Sequence, residues 1–235
     1  MDEKSLAKSF GNSLSEEVSS CVGEFAEIGL DSILENGLLK DIPFLSTAVS
    51  LYRIGKSIHE RHHISKLAVF LNEINKNLSD EEERQKYRRK FQENEKFRNQ
   101  ELEYVLILID RYIGYDKPQM LAKLYLAYLD GLIQWDALTE YAETLDRLMP
   151  SDFNCLFHFM CHGGVVIKEV KNISIASVLR LLSVGFVEQQ TGMAWGDMSG
   201  KKKKEDFDYY VTDFGKMFIE IIEEELRKRQ REESN

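Results

Sequence analysis

The first apolar positions of the chain, Leu6, Phe10, Leu14, Val18, Val22 and Phe25, recur about every fourth residue with polar residues between them. That spacing lines one face of a helix and predicts an amphipathic helix continuing unevenly through Ile28 to Leu34, with Asn36-Gly37 as its stop. The pattern then changes. From Ile42 to Tyr52 the chain reads IPFLSTAVSLY and carries no charge. Pro43 suits the first turn of a second helix. Phe44, Leu45, Ala48, Val49, Leu51 and Tyr52 cover more than half of its circumference. A helix this apolar is central to a bundle or meets lipid. The window is shorter than the ~18 apolar residues of a spanning segment, which favours the core of a bundle. Lys40, Arg53 and Lys56 flank it as cations flank an interfacial helix, so conditional membrane insertion near 42–54 is the alternative.

A polar junction is expected around His59–His63, after which Ile64, Leu67, Ala68, Leu71 and Ile74 resume helical spacing. Ser79 and Glu82 have capping-box spacing. The helix that follows is so charged that Tyr87, Phe91 and Phe97 are its apolar anchors. It is expected on the surface, with Tyr87 and Phe91 exposed and available for self-association. LEYVLILIDRY, 102–112, is dense enough for a strand, but no turn residue separates it from the charged helix, so it is read as helix. Leu121, Leu124, Tyr125 and Tyr128 mark a helix opened by Asp116 and Pro118 and ended by Gly131. Trp135, Leu138, Tyr141, Ala142 and Leu145 mark another, stopped before Pro150.

Beyond Pro150 the style differs. A short helix holds Phe153, Leu156, Phe157 and Met160, with Asp152 or Ser151 as its cap, and Gly163-Gly164 breaks it. A second helix spans Ile173 to Leu182 and ends at Gly185. An extended stretch begins at Phe186-Val187, a polar loop runs from Thr191 to Asp208, and Tyr209-Tyr-Val211 returns as a strand. Thr212 then caps a terminal helix with Phe214, Met217, Phe218, Ile221 and Ile222 inside. Helix, helix, glycine turn, strand, long loop, strand, helix is the order of a winged-helix module, and LLSVGFVEQQ…YYVTDFGKMFIEII resembles its second half.

Composition narrows the class. The 235 residues are 43% hydrophobic and 30% charged, with three prolines. The net charge of −9 is spread so that no third of the chain is basic, which argues against a dedicated nucleic-acid binder. Three cysteines (Cys21, Cys155, Cys161) are too few for a disulfide scaffold and suit a reducing, cytoplasmic compartment, or one peripheral to the inner membrane on activation. The N-terminus lacks the apolar core of a signal peptide.

Candidate chemistry is sparse. His59, His62 and His63 fall on one helical face, where two imidazoles can hold a metal. Cys155, His158 and His162 share another stripe, but zinc sites draw ligands from separated elements and buried cysteines behave as small apolar residues. Lys201, Lys202, Lys203 and Lys204 lie in the wing loop, where lysines meet phosphates or a protein. The recognition-helix candidate offers only Arg180 as a base reader. Glu103 and Asp110 share a face without the matched carboxylates of a di-metal helix bundle, and Asp110–Arg111 is read as a structural ion pair. No phosphate loop, dinucleotide fingerprint or nucleophile elbow appears.

Taken together, IPFLSTAVSLYRIGKSIHERHHISKLAVFL, the central ELEYVLILIDRYIGYDKPQMLAKLYLAYLDGLI and the winged end resemble the abortive-infection alpha group and related bacterial and prophage proteins, most closely over residues 95–225. The resemblance implies phage defence or phage–host conflict and carries over no catalytic residue. The expected architecture is mainly α: a helical bundle over 1–149, a small winged-helix-like α+β module over 150–228, and a charged tail over 229–235. The expected function is non-enzymatic. Protein contacts, self-association included, carry it, and Pro43, Phe44, Leu45, Leu51, Tyr52 and Arg53 are the candidate membrane or partner contacts. No cofactor is expected. The alternatives are a winged-helix DNA-binding regulator, and a hydrolase or nuclease with an unrecognised site.

Overall fold

The computed structural model describes residues 5–14, 42–52, 57–78, 81–162, 164–166, 173–191 and 207–233. These are mainly helical, with a small antiparallel sheet near the C-terminus. They divide into two compact units, Met1–Asp146 and Arg147–Asn235.

In the first unit the described helices are α1 (Leu6–Asn12), α2 (Pro43–Tyr52), α3 (Ile58–Asn77), α4 (Glu81–Glu93), α5 (Glu95–Arg111), α6 (Asp116–Leu129) and α7 (Trp135–Arg147). The centre is aromatic. Phe10 of α1 meets Phe44 of α2 edge-on at 4.8 Å and Phe91 of α4 at 4.9 Å, with Phe70 of α3 and Tyr125 of α6 each at 6.3 Å. Edge-to-face rings place the positive rim of one over the negative face of the next, which orders the core beyond simple burial. The long helices α3 and α6 pack along one another around this cluster.

Polar groups fix how α1 enters. Helix α1 closes at Ser13, where the sequence spacing predicted continuation through Val18. The Ser13 hydroxyl donates to Ser9 O at 3.0 Å and accepts from the Phe44 amide at 2.8 Å, and the Ser9 hydroxyl accepts from Thr47 at 2.8 Å. A hydroxyl at the end of one helix thus caps the start of another. The remainder of the expected first helix, through Leu34, and its stop at Asn36-Gly37 lie outside the described residues, as do Ser79 and Asp80.

Three further expectations are corrected. Residues His59–His63 are not a junction, because α3 runs unbroken from Ile58, opened by a reciprocal Ser57–Glu60 capping box that the sequence reading overlooked. Tyr87 and Phe91 are not exposed. Both are buried, and the Tyr87 hydroxyl donates to Asp130. Highly charged α4 therefore seats its two aromatic residues inward, and its exposed residues are polar or charged. Asp110 and Arg111 do not pair. Arg111 turns to Glu143 and Asp146 on α7, and Asp110 faces α3.

The second unit contains α8 (Pro150–His162), β1 (Gly164–Val166), α9 (Ile175–Ser183), β2 (Val187–Thr191), β3 (Phe207–Val211) and α10 (Asp213–Glu233). The strands lie in the order β1-β3-β2, both pairings antiparallel, with Gly164 opposite Tyr210 and Val187 opposite Val211. Strand β1 begins at a glycine read from sequence as a helix break. Phe153, Leu156 and Phe159 of α8, Val178 and Leu181 of α9, and Phe218, Ile222 and Leu226 of α10 are buried.

One corner organises this unit. Gly185 adopts φ +79°, a conformation that costs other residues, and ends α9. Thr212 sits beside it. Its amide donates to Phe186 O at 3.1 Å, its hydroxyl donates to Gly185 O at 2.7 Å, and the same hydroxyl accepts from Gly215 N at 3.0 Å to cap α10. A Cβ on Gly215 would stand 2.2 Å from Phe186 O, so only glycine permits this approach.

Candidate interaction surfaces

Helix α9 has two unlike faces. Its inner face is apolar and buried. Its outer face carries Ile175 at 57% exposure and Leu179 at 50%, with Ala176 and Ser183 also exposed. The only cation on the helix is engaged within the unit. Arg180 reaches back to α8, donating from Nε at 2.8 Å and from a terminal nitrogen at 2.7 Å to the two oxygens of Asp152. Asp152 is itself fully buried and accepts from the Met149 amide at the start of α8. Burial alone would raise this carboxyl, but Arg180 and the Met149 amide hold it below the usual carboxylate range. Arg180 is therefore a structural fork. The outer face of α9 is left uncharged and apolar.

Helix α2 presents little of its apolar surface. Phe44, Leu45 and Ala48 are fully buried, Pro43 is half-buried, and Leu51 is half-exposed at the end of the helix. The backbone of Tyr52 completes it, and Arg53 lies outside the described residues. Lys201, Lys202, Lys203 and Lys204 also lie outside them.

The histidines of α3 are engaged at its first two turns. Nε2 of His62 donates to Ile113 O at 2.6 Å, and its Nδ1 lies 3.1 Å from the Tyr115 hydroxyl. Nδ1 of buried His63 stands 3.3 Å from Asp110 Oδ1, and Nε2 of exposed His59 stands 3.7 Å from the same oxygen. Burial lowers the pKa of His63, opposed by Asp110 and reinforced by Lys66. On α8, Cys155 faces the core, where burial pushes its thiol up to about 12, well away from the thiolate that nucleophilic or metal-binding chemistry uses. His158 and His162 stack at 4.1 Å nearer the surface, and His162 Nδ1 donates to His158 O at 3.0 Å. The stripe seen in sequence thus splits between core and surface. Among the described residues, no three His, Cys, Asp or Glu side chains are arranged to hold a metal ion.

A groove of about 530 Å³ beside α4 is lined by Glu82, Glu83, Lys86, Arg89, Lys90 and Glu93. It carries three acidic and three basic side chains. Lys90 already donates to Leu129 O at the end of α6, and Lys86 approaches Asp130 at 4.0 Å. The groove selects neither an anion nor a cation. Among the described residues, no helix is long and apolar enough to cross a membrane.

Sequence reasoning noted Arg180 as the one long basic side chain on α9 but missed its partner. The signal was present in Asp152 near the start of α8, although the two are 28 residues apart. Compared with known proteins, the chain matches no family model, no curated protein and no solved structure.

Proposed function

We propose that this chain is a non-enzymatic interaction protein of bacterial phage conflict, whose C-terminal unit is a winged-helix-like module that recognises protein. The winged reading is supported by element order: a helix, a short strand, a helix ending at a positive-φ glycine, and two antiparallel strands, with the last strand central in the sheet. The phage-conflict setting rests on the resemblance of the central and C-terminal sequence to abortive-infection proteins.

The observation that carries protein recognition over DNA recognition is the outer face of α9. A helix that reads base edges needs forked donors and cations near phosphate. This one offers Ile175, Ala176 and Leu179, and its single arginine is spent on Asp152. An apolar strip flanked by small residues is the chemistry of a helix–protein contact. Membrane perturbation through 42–54 is a conditional part of the reading. It requires α2 to leave the aromatic core, so it needs a trigger that breaks the Phe10–Phe44 contact.

Plaque assays on bacteria expressing the chain test the proposal. Wild type is expected to change the efficiency of phage plating. The Ile175→Asp, Leu179→Asp variant is expected to abolish that change, and replacing Lys201–Lys204 by alanine to leave it intact. The reverse dependence, with duplex binding that weakens steeply with salt, would establish the DNA-binding regulator instead. No effect of wild type on any phage tested removes the phage-conflict reading.

A further inference from the structure

The first two turns of α3 gather an unusual set of titratable groups onto the end of α5 and the α5–α6 loop. His62 holds the loop through Ile113 O and the Tyr115 hydroxyl. Lys66, itself buried, donates to Asp110 O at 2.8 Å and Tyr112 O at 2.6 Å, closing the carbonyl end of α5. His63 and His59 share one oxygen of Asp110. His62 and Lys66 thus hold 110–115 in place, and His59 and His63 stand beside its one carboxylate, Asp110.

We propose that this joint is an acid-labile clasp, closed while its imidazoles are neutral and opened when they take up protons. The charge count gives the reason. With neutral histidines the two turns contain Arg61 and Lys66 against Glu60 and Asp110, which balance. A proton taken up by an imidazole there adds a cation with no further anion to meet it. The His63 charge would also be buried, where water cannot screen it. The groups facing His63 are Asp110 from α5 and His59, His62 and Lys66 from its own helix. Helix α2 contributes no charged side chain, and of the two α6 lysines Lys117 donates to Asp146 O at 2.8 Å while Lys123 lies 3.5 Å from Glu73 further along α3. Asp110 opposes a charge on His63, but it is half-exposed and its one facing oxygen is shared with His59, so burial still prevails. Protonation also makes Nδ1 of His62 a donor, which reverses its bond to Tyr115.

Opening would release the loop bearing Ile113, which is 87% exposed, beside the first turn of α3, where Ile58 is 88% exposed. The aromatic cluster of the unit does not titrate in this range, so the clasp opens locally and the core stays closed.

Hydrogen exchange on the full chain, read by mass spectrometry at about pH 7.5 and about pH 5.5 and corrected for intrinsic rates, tests this. Protection is expected to be lost at 58–66 and 110–116 at the lower pH, while 102–109 and 120–127 keep theirs. Equal protection of 110–116 at both pH values overturns the proposal, and so does a loss spread evenly through the unit. His63→Gln is expected to keep 110–116 protected at the lower pH. The double variant His59→Gln, His62→Gln removes the less buried charges and serves if His63→Gln does not fold. Its opening is expected to move to lower pH, and an onset unchanged from wild type overturns the clasp.

Discussion

Arg180 and Asp152 lock α9 onto α8 through two parallel bonds, one at 2.8 Å and one at 2.7 Å, with the carboxylate fully buried at the start of α8. The pair commits the one cation of α9 to α8. The fork geometry fixes the angle between the helices as well as their contact, because both nitrogens must meet both oxygens at once.

Asp152→Asn is expected to lower the melting temperature of the second unit, since Arg180 would lose its anion while its position stays the same. The pH dependence follows from the lowered pKa of Asp152. Its stabilising contribution is complete above the ordinary carboxylate value, about 3.9, and is lost as pH falls through the lower folded value. Thermal melts of wild type and variant are expected to differ at neutral pH and converge in strong acid. Melts that differ equally at both would show that the ion pair is not the cause.

Phe44→Ala removes a ring that is fully buried and edge-on to Phe10. Large-to-small changes of this kind cost about 3–5 kcal/mol. Chemical denaturation is expected to show that loss in the first unit, whereas a change under about 1 kcal/mol would place Phe44 outside the core.

Gly215→Ala forces a methyl to 2.2 Å from Phe186 O, a backbone atom that cannot turn aside. The first turn of α10 must shift, and overpacking of this kind costs about 1–3 kcal/mol. Thr212→Val is expected to weaken the same corner, because it removes the hydroxyl that caps α10 and bonds Gly185 O. A typical lost cap costs about 1 kcal/mol. Denaturation midpoints of the two variants check both expectations.

Thiol reactivity separates the two described cysteines. Cys161 is exposed, and Cys155 is buried with its pKa pushed up to about 12. Alkylation near neutral pH with peptide mapping is expected to label Cys161 quickly and Cys155 only after denaturation. Fast native labelling of Cys155 would contradict its inward placement.

Helical spacing was a sound guide wherever one face was apolar. The inner residues of α6 and α7, Leu121, Leu124, Tyr125, Leu138, Tyr141 and Leu145, were legible because burial repeats with the turn of the helix. The end of α9 at Gly185 and the cap at Thr212 were legible because both depend on local backbone chemistry. Strand β1 was not, since three residues carry no period and its pairing partner is more than forty residues away. Tyr87 and Phe91 were misjudged for a related reason. A helix rich in charge can still bury two aromatics if a neighbour receives them, and Phe91 is received by Phe10.

By itself, the sequence determined that this chain is mainly helical and where most of its helices carry their apolar faces, because side-chain periodicity and capping act over a few residues. Only the tertiary structure decided which partner each polar group takes: Arg180 with Asp152, His63 beside Asp110, Ser13 with the Phe44 amide. Those pairings depend on distances between segments far apart in the chain. A charge or hydroxyl reads the same in sequence whether it faces water, a ligand or a buried partner.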